Sequence, residues 1–286
     1  MAGKKKEEKV LEPEFYISAT NVPVRNYKVY YMKTGEKIFY FLLAFVIGAA
    51  IGYLFYGGIG KDQYGRPTTL TTVLNIGIPF LVGCIAGKLY LPIRVDSVLK
   101  KRRSDLSRQF RDMLDALTTS LGAGKNVTDS FISVYEDLKI QYEPSAFILQ
   151  ELDILITGMQ NNVAVEDILA DFGQRSGIDD ICSFANVFKI CYRKGGNIKD
   201  IIRNTQSILA DKMEIAEDIE TLVTSNRMEQ YIMIIMPIAL VALIKVMSPE
   251  FAHNFVTPTG IISTTISIAV FVVAYFIGRS VLDIKM

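Results

Sequence analysis

The stretch IFYFLLAFVIGAAIGYLFY, residues 38–56, contains nineteen residues and no charge. About 20 apolar residues in a helix are enough to cross a hydrocarbon core of about 30 Å. This stretch starts late and no small-residue cleavage site follows it, which argues against a cleavable signal peptide. Three more apolar blocks follow, at residues 69–90, 231–247 and 261–278. One such block could be a buried helix of a soluble protein, but four together predict four membrane-spanning helices.

The rest of the chain sets the predicted fold class. The 286 residues are 50% hydrophobic and 21% charged, with a net charge of +1, so no global basic field indicates a nucleic-acid partner. Between the second and third blocks, apolar residues recur at helical spacing and no segment alternates as a strand does. We therefore expect an all-α integral membrane protein with four transmembrane helices and a cytoplasmic six-helix bundle between spans two and three. Its predicted regions are a basic cytoplasmic N-terminal region at 1–37, spans one and two at 38–92, the bundle at 93–228, and spans three and four with a short tail at 229–286.

The placement of Lys and Arg predicts the orientation in the membrane. Eight basic residues precede the first span and a dense basic segment follows the second, whereas the loop between them holds only Lys61 and Arg66. The loop SPEFAHNF at 248–255 has no Lys or Arg, and the tail adds Arg279 and Lys285. Because cytoplasmic flanks carry the basic excess, both termini and the bundle are expected in the cytoplasm of a cell (inner) membrane protein. The Lys- and Glu-rich residues 1–25 are expected to be flexible.

The segment SLGAGKNVTDSF at 120–131 resembles a nucleotide-binding loop at first sight. A Walker A loop needs a glycine at the position of Thr119 and a Ser or Thr at the position of Asn126. A helical pattern also precedes the segment, where a P-loop needs a strand. The segment is therefore interpreted as a turn between two helices.

Three predicted helix starts share one pattern: NVTDSF at 126–131, AVEDIL at 164–169 and NIKDII at 197–202. Asn is a good N-cap, and an Asp three residues later can bond back and favours the positive end of the helix dipole. The predicted capping residues are Asn126, Asp129, Asp167, Asn197 and Asp200. The spacings of 38 and 33 residues fit a repeated helical hairpin or the chance recurrence of helix-start chemistry, and the sequence leaves both open.

The sequence offers no set of residues for catalysis. It has no Walker loop, no H-E-x-x-H, no G-x-S-x-G and no Cys/His cluster, so we expect no enzyme, no metal and no cofactor. Cys84, Cys182 and Cys191 are expected to pack in the interior rather than form disulfides. A transporter needs ionisable residues near the bilayer midplane, and the spans contain only Lys88 and Lys245, each near an end. The residues alone indicate a membrane-embedded interaction or scaffold protein.

The order of two spans, a basic entry helix, a helical bundle with capped turns, two spans and a tail resembles the type II secretion F domain family. These are the inner-membrane platform proteins of type IV pilus and type II secretion machines. Three segments are similar to that family: FRDMLDALTTSLGAGKNVTDSF at 110–131, FKICYRKGGNIKDIIRNTQSIL at 188–209 and SPEFAHNFVTPTG at 248–260. A single bundle flanked by two pairs of spans looks most like the TadB/TadC branch of tight-adherence (Flp) pili, and the long basic N-terminal region favours TadB. The turn GAGKN departs from the family's usual apolar pattern.

The resemblance implies a cytoplasmic hexameric secretion ATPase as motor, a sister TadC-like platform protein or self-association, and pilin subunits as partners. Candidate motor-contact corners are Lys125, Arg193, Lys194 and Asn197, whose alternative role is that of solvated loop charges. The basic run at 100–103 is expected to set topology and meet anionic membrane lipid. The approach from Asn197 to span three is a candidate lever, which proline at Ile219 would break. A transporter or permease subunit, a non-pilus scaffold and an archaeal or sporulation-type platform remain alternatives.

Overall fold

The computed structural model describes residues 12–18, 20–59, 68–195, 197–248 and 254–282. The predicted all-α class is confirmed, since eight α-helices occupy most of the described chain and one short two-stranded ribbon accompanies them. The strands are β1 (Phe15–Ile17) and β2 (Pro23–Arg25), and the helices are α1 (Thr34–Tyr56), α2 (Thr69–Gly122), α3 (Val127–Gln141), α4 (Phe147–Gln160), α5 (Val165–Ser176), α6 (Asp179–Lys194), α7 (Ile198–Met247) and α8 (Pro258–Leu282).

The chain divides into two compact units. The first unit comprises Met1–Tyr31 and Val95–Met213, and the second comprises Met32–Arg94 and Glu214–Met286. Each unit is therefore built from two separate stretches of chain. The loop residues Lys61 and Arg66, the loop residues 249–253 and Lys285, on which part of the predicted orientation depends, lie outside the described residues.

The first unit has a closed apolar core. Six helical segments, from α2 to α7, contribute side chains that are almost fully buried, among them Leu106, Phe131, Leu152, Phe172, Phe188 and Ile202. Phe110 and Phe184 meet edge to face with ring centroids 5.4 Å apart. Burying one such side chain stabilises a fold by about 1.5–3 kcal/mol, so this core is the main source of stability in the unit.

An antiparallel ribbon of two three-residue strands packs on this unit, with Phe15 paired to Arg25 and Ile17 to Pro23. Tyr27 follows the ribbon, is fully buried in the same core, and donates its backbone N–H to the Arg175 carbonyl at 3.0 Å. The expectation that residues 1–25 are flexible is therefore wrong for residues 12–18 and 20–25, while residues 1–11 lie outside the described part of the chain. The sequence prediction also missed the ribbon itself.

A buried ionic network joins the ribbon to α4 and α5. The fully buried Arg175 forms a two-pronged pair with Glu151, at 2.8 and 2.6 Å, and binds Asp171 at 2.7 Å. Its guanidinium also donates to the carbonyl of Arg25 at 3.2 Å, and the Tyr27 hydroxyl donates to Glu151 at 2.8 Å. Burial alone would lower the pKa of Arg175, but Glu151 and Asp171 outweigh it and raise that pKa. Each charged group in the network thus has a partner of opposite sign.

The second unit, unlike the first, exposes most of its large apolar side chains. Four segments are long and apolar enough to cross a membrane: Thr34–Tyr56, the apolar part of Thr69–Gly122, Met228–Met247 and Pro258–Tyr275. Their large apolar side chains point outward, as Val46, Ile76 and Leu81 do, with 63%, 66% and 59% of each exposed. The prediction of four spans is therefore supported by length, composition and exposure together.

Glycines bring α1 and α2 together in the second unit. A Cβ atom at Gly48 would lie 2.7 Å from the Ala86 side chain, and one at Gly83 would lie 2.8 Å from the Phe45 ring. Small residues at such crossings allow close backbone approach, which is how helices associate in lipid without a hydrophobic driving force. Lys245 of α7, which lies near the end of its span, donates to the carbonyl of Leu54, near the end of α1.

Candidate functional site: a groove between two capped turns

The first turn joins α2 to α3. Gly124 has φ +85°, a left-handed conformation that favours glycine, and the chain then extends through Asn126. The Asn126 side chain accepts from the Asp129 backbone N–H at 2.8 Å and donates to the Asp129 carboxylate at 2.7 Å. Asn126 is thus the N-cap of α3, and Asp129 completes a reciprocal capping pair.

The second turn joins α6 to α7 and uses the same chemistry. Gly195 takes a left-handed conformation, with φ +73°, and its N–H donates to the Cys191 carbonyl, which closes the end of α6. Asn197 precedes α7, and its side-chain amide donates to the Asp200 carboxylate at 2.5 Å. Gly196, which the sequence prediction included in this turn, lies outside the described residues.

These two turns, separated by about seventy residues, line one open groove of about 490 Å³. The first turn contributes Leu121, Lys125, Asn126, Val127 and Thr128, and the second contributes Tyr192, Asn197, Ile198 and Lys199. The structure therefore brings together Lys125 and Asn197, which the sequence predicted as corner residues, and Asn126, which it predicted as a helix cap. We call this surface the capped-turn groove.

Two lysines and two helix N-termini bring positive charge to the capped-turn groove. Two helix N-termini open at it, those of α3 and α7, and each contributes the positive end of a helix dipole. Lys125 is exposed and donates to the Ser133 hydroxyl. Lys199 is exposed as well, and its ammonium would lie 3.8 Å from a Cβ at Gly122. Asp129 and Asp200, in the first turns of the same two helices, offset part of this charge, and Lys125 and Lys199 are the cations that line the groove.

The other predicted corner residues lie elsewhere. Arg193 turns to the start of α5, where it pairs with Glu166 at 3.1 Å and approaches Asp167 at 3.7 Å. Lys194 is the exposed last residue of α6 and does not line the capped-turn groove. Arg193 is thus engaged in an ion pair that ties α6 to α5.

The third helix start, at α5, differs from the other two. Ala164 occupies the N-cap and has no side-chain cap bond, while Asp167 lies in the first turn and accepts from Lys189 of α6 at 2.9 Å. That hydrogen bond lowers the pKa of Asp167 and keeps the carboxylate charged. The shared sequence pattern therefore gives a side-chain N-cap at α3, an Asn–Asp side-chain pair at α7 and an inter-helix ion pair at α5.

Lys199, Thr128 and Tyr192 are groove residues that the sequence prediction missed. Lys199 and Thr128 occupy the variable position of the NIKDII and NVTDSF patterns. Because Thr128 and Lys199 hold the same position in two similar helix starts, a groove lined by one of them could be expected to include the other once the two starts lie close together.

The second unit contains a different cavity, apolar and about 660 Å³ in volume. Its walls come from α1, α7 and α8, and residues such as Phe55, Ile238 and Phe271 dominate them. Within the described residues, no group of His, Cys, Asp or Glu could hold a metal ion. The three cysteines are free and half-buried.

Comparison with known proteins identified no matching family model, no similar curated protein and no similar solved structure.

Proposed function

We propose that this protein is an inner-membrane platform protein of a type IV (Tad/Flp-like) pilus or a type II secretion-like machine. In this proposal it couples a cytoplasmic hexameric secretion ATPase to pilin assembly and hydrolyses nothing itself. The observation that carries the proposal is the capped-turn groove. Its two walls belong to the segments at 110–131 and 188–209, which are two of the three that resemble the type II secretion F domain family. Because two segments that resemble the family form one surface, we propose that they bind the same partner.

We assign the first unit to the cytoplasm as the six-helix bundle between spans two and three, with both termini on the same side. The basic residues that flank the spans support this orientation. A cytoplasmic groove is accessible to a cytoplasmic motor. A sister TadC-like platform protein, or a second copy of the chain, would pair with this protein in the membrane and deliver pilin subunits to the fibre.

The chemistry of the groove defines the motor surface that it would bind. Lys125, Lys199 and two helix N-termini favour an acidic surface. An electrostatic contact of this kind speeds association and weakens with salt. If Lys125 and Lys199 are only solvated charges, replacing both with glutamine will leave motor binding unchanged, whereas the proposal expects binding to fall and its salt dependence to flatten.

The helix α7 is the proposed lever. It runs from Ile198 at the capped-turn groove to Met247, and its last twenty residues form the third candidate span. We expect Ile219→Pro to abolish pilus assembly, because proline breaks a helix interior, while membrane insertion and ATPase binding persist. Ile219→Ala is the matched control and should assemble pili. Normal pili in the proline variant would rule out the lever.

Partner capture tests the proposal as a whole. The tagged protein is crosslinked in its own membranes, gently solubilised and purified, and its partners are identified by mass spectrometry. Recovery of a secretion ATPase together with a second platform protein supports the proposal. A crosslinked sample that contains neither contradicts it.

The apolar cavity of the second unit favours a transporter or permease subunit as the second candidate. Its lining would suit a lipid-like or apolar molecule. Reconstituted vesicles would then show protein-dependent movement of such a molecule across the bilayer, and narrowing the cavity with Ser267→Phe would slow that movement. A platform protein would show no flux in the same vesicles.

A further inference from the structure

Four basic residues of the first unit form a cluster away from the capped-turn groove: Arg25, Lys28, Arg102 and Arg103. Arg25 ends β2 and Lys28 follows it, whereas Arg102 and Arg103 belong to α2. Contacts between α2 and residues 28–30, which follow the ribbon, bring the two pairs together. We refer to these four residues as the basic cluster.

Contacts with neighbouring residues fix the positions of the side chains in the basic cluster. Arg102 donates to the Val29 carbonyl at 3.4 Å, and its guanidinium lies 5.0 Å from the ring centroid of Tyr30. Lys28 and Arg103 meet at Gly177, where a Cβ atom would lie 2.8 Å from Cγ of Lys28 and 3.4 Å from Nη2 of Arg103. The arrangement is therefore set by the fold of the unit.

The positive charge of the cluster is not neutralised within the described residues. None of its four side chains lies within ion-pair distance of a carboxylate there, and Nε of Arg25 and Nε of Arg103 are buried without a hydrogen-bond partner. Burial and the charge of Arg25 lower the pKa of Arg102, with Glu14 acting in the opposite sense. Arg175, in contrast, is neutralised by two carboxylates. Four neighbouring cations without an ion-paired carboxylate among the described residues favour an external anion.

The chain places the cluster close to the spans in sequence. Lys28 lies six residues before α1 begins at Thr34, and Arg102 lies ten residues after Pro92, which closely follows the second apolar block. Side chains on a helix tilt towards its N-terminus, which for α2 is the end that carries the apolar segment. Long arginine side chains extend in the same way towards headgroups.

We infer that the basic cluster is a binding site for the phosphate of an anionic lipid headgroup, assembled jointly by the N-terminal ribbon and α2. Guanidinium groups bind phosphate oxygens in a two-pronged geometry, which suits Arg102 and Arg103 better than lysines would. The site goes beyond general attraction of a basic run to the membrane, because it also requires Arg25, at the end of the ribbon, and Lys28, three residues after it. The inference needs only that the chain crosses a membrane and does not rest on the proposed function.

Lipid titration of the purified full-length protein, read by native mass spectrometry, tests the inference. We expect the protein to retain phosphatidylglycerol in preference to phosphatidylcholine. Each charge near an anionic surface contributes about fivefold, so Arg102→Gln with Arg103→Gln should weaken phosphatidylglycerol retention by tenfold or more. Equal retention of the two lipids by the unaltered protein would overturn the inference.

The matched control removes two charges from the same helix outside the cluster. Lys100→Gln with Lys101→Gln should change retention by less than about twofold, since an exposed Lys100 pairs with Asp96 at 3.8 Å. An equal loss in this control would show a diffuse charge effect and overturn the site. A large excess of inorganic phosphate should not displace the lipid. Full displacement would identify a site for a free anion and contradict a headgroup.

A variant that leaves the buried contacts intact keeps the test valid if the double arginine variant misfolds. Lys28 is exposed, so Lys28→Gln should fold normally, as helical circular dichroism would report. It should nevertheless lower phosphatidylglycerol retention by about fivefold. Unchanged retention in a folded Lys28→Gln protein would remove the ribbon from the site and overturn the joint assembly.

Discussion

The two units use apolar residues in opposite ways. In the first unit Leu117 is fully buried in a closed core, whereas in the second Leu81 is 59% exposed on a helix that could cross a membrane. The first unit buries the ionic network around Arg175, and the second closes helix crossings with glycines such as Gly48. Apolar composition alone does not show which unit a segment belongs to. The helices of the first unit carry charged residues between their apolar ones, whereas the apolar segments of the second unit are almost free of charge.

The buried network should give the largest effect in the first unit. Glu151→Ala leaves the buried Arg175 without its main partner, so the free energy of unfolding should fall by about 3–5 kcal/mol. Chemical unfolding in detergent, followed by circular dichroism, measures the change. Glu136→Ala, which removes an exposed partner of Lys139, should cost less than about 1 kcal/mol. Equal losses would mean that Arg175 is compensated in another way.

A leucine truncation in each unit tests the comparison directly. Leu117→Ala opens a cavity in a closed core and should destabilise the first unit by about 2–5 kcal/mol. Leu81→Ala removes an exposed side chain and should change stability by less than about 1 kcal/mol. The same unfolding assay serves both. A larger loss from Leu81→Ala would show that this face of α2 is packed against protein.

A glycine pair tests how the second unit is held together. Gly48→Ala places a methyl group 2.7 Å from Ala86 and should destabilise the α1–α2 contact by about 1–3 kcal/mol. Gly77→Ala meets nothing within 4 Å and should be neutral or slightly stabilising. The temperature at which each variant aggregates in detergent measures both effects. Indistinguishable variants would contradict the close crossing of the two helices.

Loss of a helix cap should give a smaller effect at the capped-turn groove. Asn126→Ala removes the acceptor for the Asp129 N–H and should lower the free energy of unfolding by about 1 kcal/mol. Asn126→Ser keeps a capping oxygen and should restore most of the loss. If serine were as harmful as alanine, the Asn126 amide would have a role other than capping.

The smallest effect concerns pH. Burial and the hydrogen bond to Asp112 raise the pKa of Tyr142 from 10.0 to about 12. A raised pKa means that the folded state holds the proton more tightly, so the contribution to stability is full below about pH 10 and is lost as pH rises towards 12. The stability gap between the unaltered protein and Tyr142→Phe should therefore shrink across that range. A constant gap would contradict the raised pKa.

Much of the architecture could be read from the sequence, because helix periodicity, charge-free blocks and Asn–Asp helix starts are local signals. Glu151 and Arg175 also left a signal, since each is a charged residue on the apolar face of its helix, beside Leu152 and Phe172. Their pairing is non-local and needed the fold. The ribbon left no readable pattern, because strands of three residues are too short to show alternation. The groove arises where two distant turns meet, which no local pattern encodes.

Site-specific photo-crosslinking in living cells tests the central claim most directly. A photoreactive residue at Thr128, which lines the capped-turn groove, should crosslink to a secretion ATPase. The same residue at Ile140, 90% exposed at the other end of α3, should not. Crosslinking to the ATPase from Thr128 alone is the result that the platform proposal predicts. No ATPase adduct from Thr128 in a cell that assembles the machine would contradict it.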